Sequence, residues 1–205
     1  MVGWYLILLA LVGVERLFEL AISRRNAARA LARGGIEVGQ RHFVVMKVLH
    51  AGFLVACAAE VVLLRRPFVA PLGISMLVLA LASQALRYWA VLTLAGSWNV
   101  RVIVVSGDLA VASGPYRYLR HPNYVAVIAE GVALPLVHTA YLTAVAFTLL
   151  NAALLAVRIR CEERALTDHC RYEERLGDRP RLVPRGRELT KAVRPLRERC
   201  RHASG

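Results

Sequence analysis

"FVAPLGISMLVLALASQALRYWAVLTL", residues 68–94, is the stretch on which the fold turns. It is apolar for longer than the roughly 20 residues that span a bilayer's hydrocarbon core, yet it holds Gln84 and Arg87 within it. Comparable apolar runs fall at 2–23, 43–64, 124–138 and 140–157. A soluble core rarely needs such runs repeatedly, so the pattern predicts an all-α, multi-pass integral membrane protein with about five transmembrane helices. Only His138 and Thr139 separate the last two runs, which are short, and this predicts a tight helical hairpin.

The arginines set an orientation. Of 27 Lys+Arg in 205 residues, 22 fall in segments 24–42, 95–122 and 158–205, and only Arg65 and Arg66 lie in the alternate connections. The positive-inside rule then places the N-terminus outside and the C-terminus in the cytoplasm. The opening run has no basic segment before it and no small-residue cleavage site after it, so it is expected to remain as the first span. Four cysteines without CxxC spacing suggest reduced thiols rather than a zinc site or a disulfide framework. The chain turns charged after Arg158, predicting a cytosolic helix over 159 to about 176, with Pro180, Pro184 and Gly186 breaking it. The Arg-rich tail lacks aromatic interleaving, which favours anionic lipid head groups over nucleic acid as its partner.

Ionisable groups inside spans are costly unless they are paired or face a polar cavity. The first span carries Glu15, Arg16 and Glu19, the second Lys47, His50 and Glu60, the third Gln84 and Arg87. Glu15, Glu19 and Asn26 fall along one helical face. Either these groups pair across helices, Glu19 with Arg87 for instance, or they serve a ligand directly; the pattern admits both.

A second stretch, "GPYRYLRHPNY" at 114–124, packs breakers, arginines, a histidine and tyrosines at the start of the fourth run. Pro122 suits the first turn of a helix, whose free N–H groups favour an anionic ligand group nearby. Arg117, Arg120 and His121 add donors. A plain basic loop in an aromatic belt would account for Arg117 and Tyr118, but not for the clustering of glycine, proline, histidine and tyrosine. Beyond the hairpin comes "RIRCEER", 158–164, in which Arg158 and Glu162 share a helical face and Glu163 points about 100° away. The hairpin brings the two motifs to one membrane face.

Gly114-Pro115-Tyr116-Arg117, Arg120-His121-Pro122-Asn123-Tyr124, an apolar hairpin, then Arg158-Ile159-Arg160 and Glu162-Glu163 together resemble the isoprenylcysteine carboxyl methyltransferase family of membrane methyltransferases. Glu15 to Leu20, Ser23 to Asn26, Gly34-Gly35, His42, His50 and Arg101 are more specifically similar to a small bacterial branch found beside type III polyketide synthases, which methylates alkylpyrones and alkylresorcinols. The resemblance implies S-adenosylmethionine held by Tyr116, Arg120, His121, Pro122, Tyr124, Glu162 and Glu163, with Arg158 and Glu162 near the methyl acceptor and no metal. Glu19, His50, Arg87 and Arg101 are the candidate substrate residues. It further implies one membrane-embedded domain over 1–187, with its cofactor half at about 95–185, a basic flexible tail over 188–205, and a bacterial inner-membrane location. Residues 172–179 keep only part of the family's usual Phe-Gly, Tyr, Tyr pattern, although Pro180 to Pro184 is similar to its closing segment.

Methyl transfer asks a protein to align an oxygen with a methyl carbon and to exclude water. A carboxylate or an acidic hydroxypyrone arrives ionised and needs only an orienting cation such as Arg158. A resorcinol, with a phenol pKa near 10, benefits from a base such as His50 or Glu19. The lipid-like acceptor is thus left between a polyketide phenol or pyrone and a prenylcysteine. Sterol-type NADPH reductases share an Arg-His-Pro-Asn-Tyr stretch and form the enzymatic alternative, but Val125-Ala126-Val127 stands where their Gly-acidic pair follows. A transporter would show binding groups at the midplane and repeats; here the motifs gather at one face.

Overall fold

The computed structural model describes residues 2–183. Pro184, Gly186, the 187/188 boundary, the basic tail and Cys200 lie outside the described residues. Five long or medium helices fall on the five apolar runs: α1 Val2–Ala32, α2 Gln40–Leu63, α3 Ala70–Leu94, α4 Pro122–Leu136 and α5 Tyr141–His169. A short helix, α6 Tyr172–Leu176, follows.

Three of these stretches, His42–Leu63, Ala70–Ser97 and Tyr141–His169, are long and apolar enough to cross a membrane. Their outward faces are mostly aliphatic, with Val78 61% exposed and Leu63 and Leu92 each 76% exposed. Side chains of this kind belong against lipid rather than water, and the protein is an integral membrane protein. α1 is interrupted by Glu15, Arg16 and Glu19, and α4 has 15 residues. That is roughly 22 Å of helix against a hydrocarbon core of about 30 Å.

Local chemistry places the helix ends. Pro122 opens α4 at a position where a missing N–H costs nothing, and Pro135 closes its last turn. The chain then turns through His138 and Thr139, which takes φ 55°, and α5 begins at Tyr141, giving the expected hairpin. Glu60 of α2 caps α5 from outside: its carboxylate accepts from the Thr143 N–H at 2.7 Å and the Leu142 N–H at 3.2 Å, and Arg66 pairs with it at 2.9 Å. An acidic group at a helix N-terminus satisfies otherwise free donors and meets the positive end of the dipole. A buried membrane carboxylate therefore has a structural task here.

α4 packs between α3 and α5, while α2 lies against α1 and α5. Tyr5, Leu9, Phe53, Cys57, Val61, Leu134, Val137 and Phe147 form the core at the hairpin end, and the Tyr5 hydroxyl donates to the Leu134 carbonyl at 3.0 Å. The all-α expectation needs one correction. Strands β1 Ile36–Val38 and β2 Val102–Val104 pair antiparallel, with Ile36 opposite Val104 and Val38 opposite Val102. Three-residue strands carry too little alternation to stand out in a sequence. Their pairing ties the end of α1 to the loop that leads into the 114–124 motif.

Candidate active site

The membrane charges of α1 and α3 meet across the bundle. Arg87 clasps Glu19 with two bonds of 2.8 Å, and Arg16 adds a third contact to Glu19 at 2.7 Å. Arg16 also reaches Gln84 at 3.0 Å and Glu130 of α4 at 3.1 Å, while Gln84 donates to Glu15. Glu19 and Arg87 are buried, so each charge survives only because the other is present. Glu130 escaped the reading of the first three spans, although it is the same kind of signal: an acidic residue inside an apolar helix.

At the opposite end from the hairpin, the 114–124 motif folds against α5. Gly114 takes φ +54° where a Cβ would strike Thr93, so the tight 3-10 turn Gly114–Arg117 needs glycine on both counts. The hydroxyl of Tyr124, in the first turn of α4, accepts from Arg158 Nε at 2.8 Å and donates to Glu162. Arg158 also donates to the Val100 carbonyl. Arg158 and Tyr124 are buried, so the guanidinium is fixed in direction before any ligand arrives.

Glu163 turns the other way, as its position on the helix predicts. It meets His121 Nε2 at 3.1 Å, Arg181 at 2.6 Å and the Tyr172 hydroxyl at 3.5 Å. His121 stacks on the Tyr124 ring with centroids 5.2 Å apart. Arg120 donates to the Arg179 carbonyl at 2.7 Å and to that of Gly177, and the His121 N–H donates to the Arg181 carbonyl at 3.1 Å. Residues 172–181 thereby form a strap over the motif despite the partial match of their sequence. Burial, with Glu163 alongside, pushes the Tyr172 phenol above its ordinary range; burial, with Glu162 nearby, does the same for Tyr116. Both remain protonated donors at neutral pH.

Between the ion-pair network and this strap lies a cavity of about 870 Å³, toward the upper end of the range for a small-molecule site. Its wall includes ten of the twelve sequence-derived candidates: Glu19, His50, Arg87, Arg101, Tyr116, Arg120, His121, Tyr124, Arg158 and Glu162. Pro122 and Glu163 stand behind it, the first opening α4 and the second bracing His121. Arg101 pairs with Glu37 at 3.2 Å and lies over the Phe43 ring. The wall also includes Asn123, Asn151 and Tyr172, to which the sequence reading gave no role. The Oδ1 atoms of Asn123 and Asn151 are buried without a hydrogen-bond partner among the described residues. Each such oxygen costs about 1–3 kcal/mol unless something donates to it.

The base question narrows in the same cavity. Glu19 is saturated by Arg87 and Arg16. His50 Nδ1 donates to the Met46 carbonyl at 2.9 Å, a bond that fixes the tautomer and leaves Nε2 with its lone pair. His50 is therefore the better-placed proton acceptor of the two.

The model of the isoprenylcysteine carboxyl methyltransferase (ICMT) family matches residues 76–168, from α3 through the 114–124 motif to Glu162 and Glu163. The Bacillus subtilis (strain 168) protein YpbQ, described as uncharacterized, is 38% identical over 164 residues, covering 80% of this chain and 96% of that one. The chain belongs to the isoprenylcysteine carboxyl methyltransferase family. An uncharacterized Haemophilus influenzae protein is also similar, 28% identical over 155 residues, covering 74% of this chain and 88% of its own. ICMT membership makes this chain one of a family of membrane methyltransferases and does not favour the reductase reading. The match includes Arg87, Arg101, the motif and Arg158 but not Glu19 or His50, which lie N-terminal to it.

Proposed function

We propose that this protein is an S-adenosylmethionine-dependent O-methyltransferase acting on a lipid-like acceptor, first a phenolic or pyrone lipid of alkylresorcinol or alkylpyrone type, second a prenylcysteine-type carboxylate. The observation that puts the phenolic acceptor first is His50, in the cavity wall with no partner for Nε2 among the described residues, since only an un-ionised hydroxyl needs a base.

The residues present fit the cofactor. Glu162 offers a carboxylate to a cationic sulfonium or ammonium, and the orphaned Asn123 Oδ1 awaits a donor such as an amino or ribose hydroxyl group. Tyr116, His121 and Tyr124 supply aromatic wall, while Arg120 and Glu163 hold the strap above. When bound, S-adenosylmethionine supplies an electrophilic methyl group. The chain's own part is to orient and to dry the site: His50 Nε2 takes the hydroxyl proton of a phenolic acceptor, Arg158 directs an acceptor that arrives ionised, and the strap excludes water.

In this reading all five helices cross a bacterial inner membrane, with α1 turning Ile7, Leu11, Val14 and Leu17 outward to lipid and α4 buried among its neighbours. The N-terminus is outside and the motif end cytoplasmic, as the arginine asymmetry supports. Anionic lipid head groups meet the basic segments on that side. The test is methyl transfer from labelled S-adenosylmethionine by the detergent-purified protein to 5-pentylresorcinol, an alkyl hydroxypyrone and S-farnesylcysteine. Preferential labelling of the hydroxyl acceptors supports the first acceptor class; labelling of the farnesylcysteine alone moves the reading to the second.

A further inference from the structure

Asn151 is an uncomfortable residue for its position. It lies on α5 within an apolar run, where asparagine is a poorer helix former than its aliphatic neighbours. Its side chain is 3% exposed, and its Oδ1 has no partner among the described residues. Nothing in the ion-pair network, in the core or in the strap uses it. It does, however, line the large cavity.

Its place in the helix says what it faces. Phe147, Asn151, Leu155, Arg158 and Glu162 succeed one another at spacings of three or four residues, hence along one stripe of α5. Phe147 meets the His50 ring edge-on at 5.3 Å between centroids, so Asn151 stands one turn from the level of His50. Arg158 lies two turns further, roughly 10 Å along the axis. The amide therefore sits between the proton acceptor and the directing guanidinium, on the wall that an acceptor ring must pass or occupy.

We propose that Asn151 is a specificity residue that binds a second hydroxyl of the acceptor, so that the preferred substrate is a dihydroxylated arene rather than a monophenol, a hydroxypyrone with a single hydroxyl, or a carboxylate. This rests on the acceptor reading given above. A carboxylate has no proton to give Oδ1, and an alkyl chain leaves the amide unsatisfied. A hydroxyl both donates and accepts, so it satisfies either end of the amide. A site that hydrogen-bonds a substrate hydroxyl rejects the analogue lacking it, because the buried polar group is then left unpaired.

The experiment compares binding, not turnover. Cofactor-free protein in detergent is titrated calorimetrically with 5-pentylresorcinol, 3-pentylphenol and S-farnesylcysteine, for the native chain and for Asn151→Leu. The native chain is expected to bind the resorcinol about tenfold more tightly than the phenol, a difference of one hydrogen bond. Asn151→Leu is expected to bring that ratio close to one while leaving the phenol within about twofold. A ratio that survives in Asn151→Leu, or equal losses for both ligands, overturns the proposal while leaving the acceptor reading in place. Binding of farnesylcysteine alone overturns the acceptor reading and this proposal with it. Should Asn151→Leu fail to accumulate, Asn151→Ser carries the same comparison: its shorter hydroxyl lowers the ratio, and an unchanged ratio overturns the assignment.

Discussion

Arg158 and Glu162, one turn apart on α5, are joined through a third residue: the Tyr124 hydroxyl accepts from Arg158 Nε at 2.8 Å and donates to Glu162. One phenol from α4 thus sets the direction of both α5 side chains. Tyr124→Phe removes that junction while keeping the ring. Hydrogen bonds to charged groups contribute about 1.5–3 kcal/mol, so the variant is expected to lose roughly 10- to 100-fold in kcat and to melt several degrees lower, because Arg158 Nε is left unpaired. Initial rates beside a thermal melt in detergent check this; an unchanged kcat would remove Tyr124 from the site.

The strap hangs on Glu163. Glu163→Gln weakens its bonds to His121, Arg181 and Tyr172 at once. Faster tryptic cleavage at Arg179 and Arg181 and weaker cofactor binding are expected together. Arg181→Ala should do far less for stability, under about 1 kcal/mol, because that side chain is 60% exposed. Proteolysis time courses for the two variants give the comparison.

The Glu19–Arg87 pair is buried, and removing one partner strands the other. Arg87→Met alone is expected to cost about 3–5 kcal/mol of stability. Combining it with Glu19→Met should cost clearly less than the sum of the single changes, since the double variant leaves no charge unpaired between those two positions. Additive losses in detergent melts would mean that the two residues act separately.

His50→Phe should lower kcat for a phenolic acceptor by about 100-fold at neutral pH. Without the base, the reactive form is the phenolate that solution provides, so the variant's rate should climb with pH toward the phenol's pKa near 10. The native rate should level off at lower pH. Parallel pH–rate profiles would show that His50 takes no proton.

The helical framework was legible because apolar length, breakers and arginine asymmetry are one-dimensional signals. Residues 138–139 marked the hairpin and Pro122 marked the start of α4. The Glu19–Arg87 pair was foreseeable as a means of satisfying two charges in lipid, and the 100° step from Glu162 to Glu163 already sent them to different partners. What the chain did not announce depends on cross-helix geometry. Tyr124 stands among the cofactor candidates, but its bridge from Arg158 to Glu162 is seen only once α4 and α5 are side by side; Asn151 reads as a stray polar residue until the cavity is seen, and β1 and β2 as loop until they meet. Glu130 was within reach of the same rule that singled out Glu15 and Glu19.

The central claim, that the cavity under the strap binds S-adenosylmethionine, is tested most directly by calorimetric titration of the detergent-purified protein with S-adenosylmethionine, S-adenosylhomocysteine and NADPH. The account predicts saturable binding of the first two and none of the third, with the affinity weakened in Glu163→Gln. Binding of NADPH alone would contradict it and withdraw the roles given to His121, Tyr124 and Glu162.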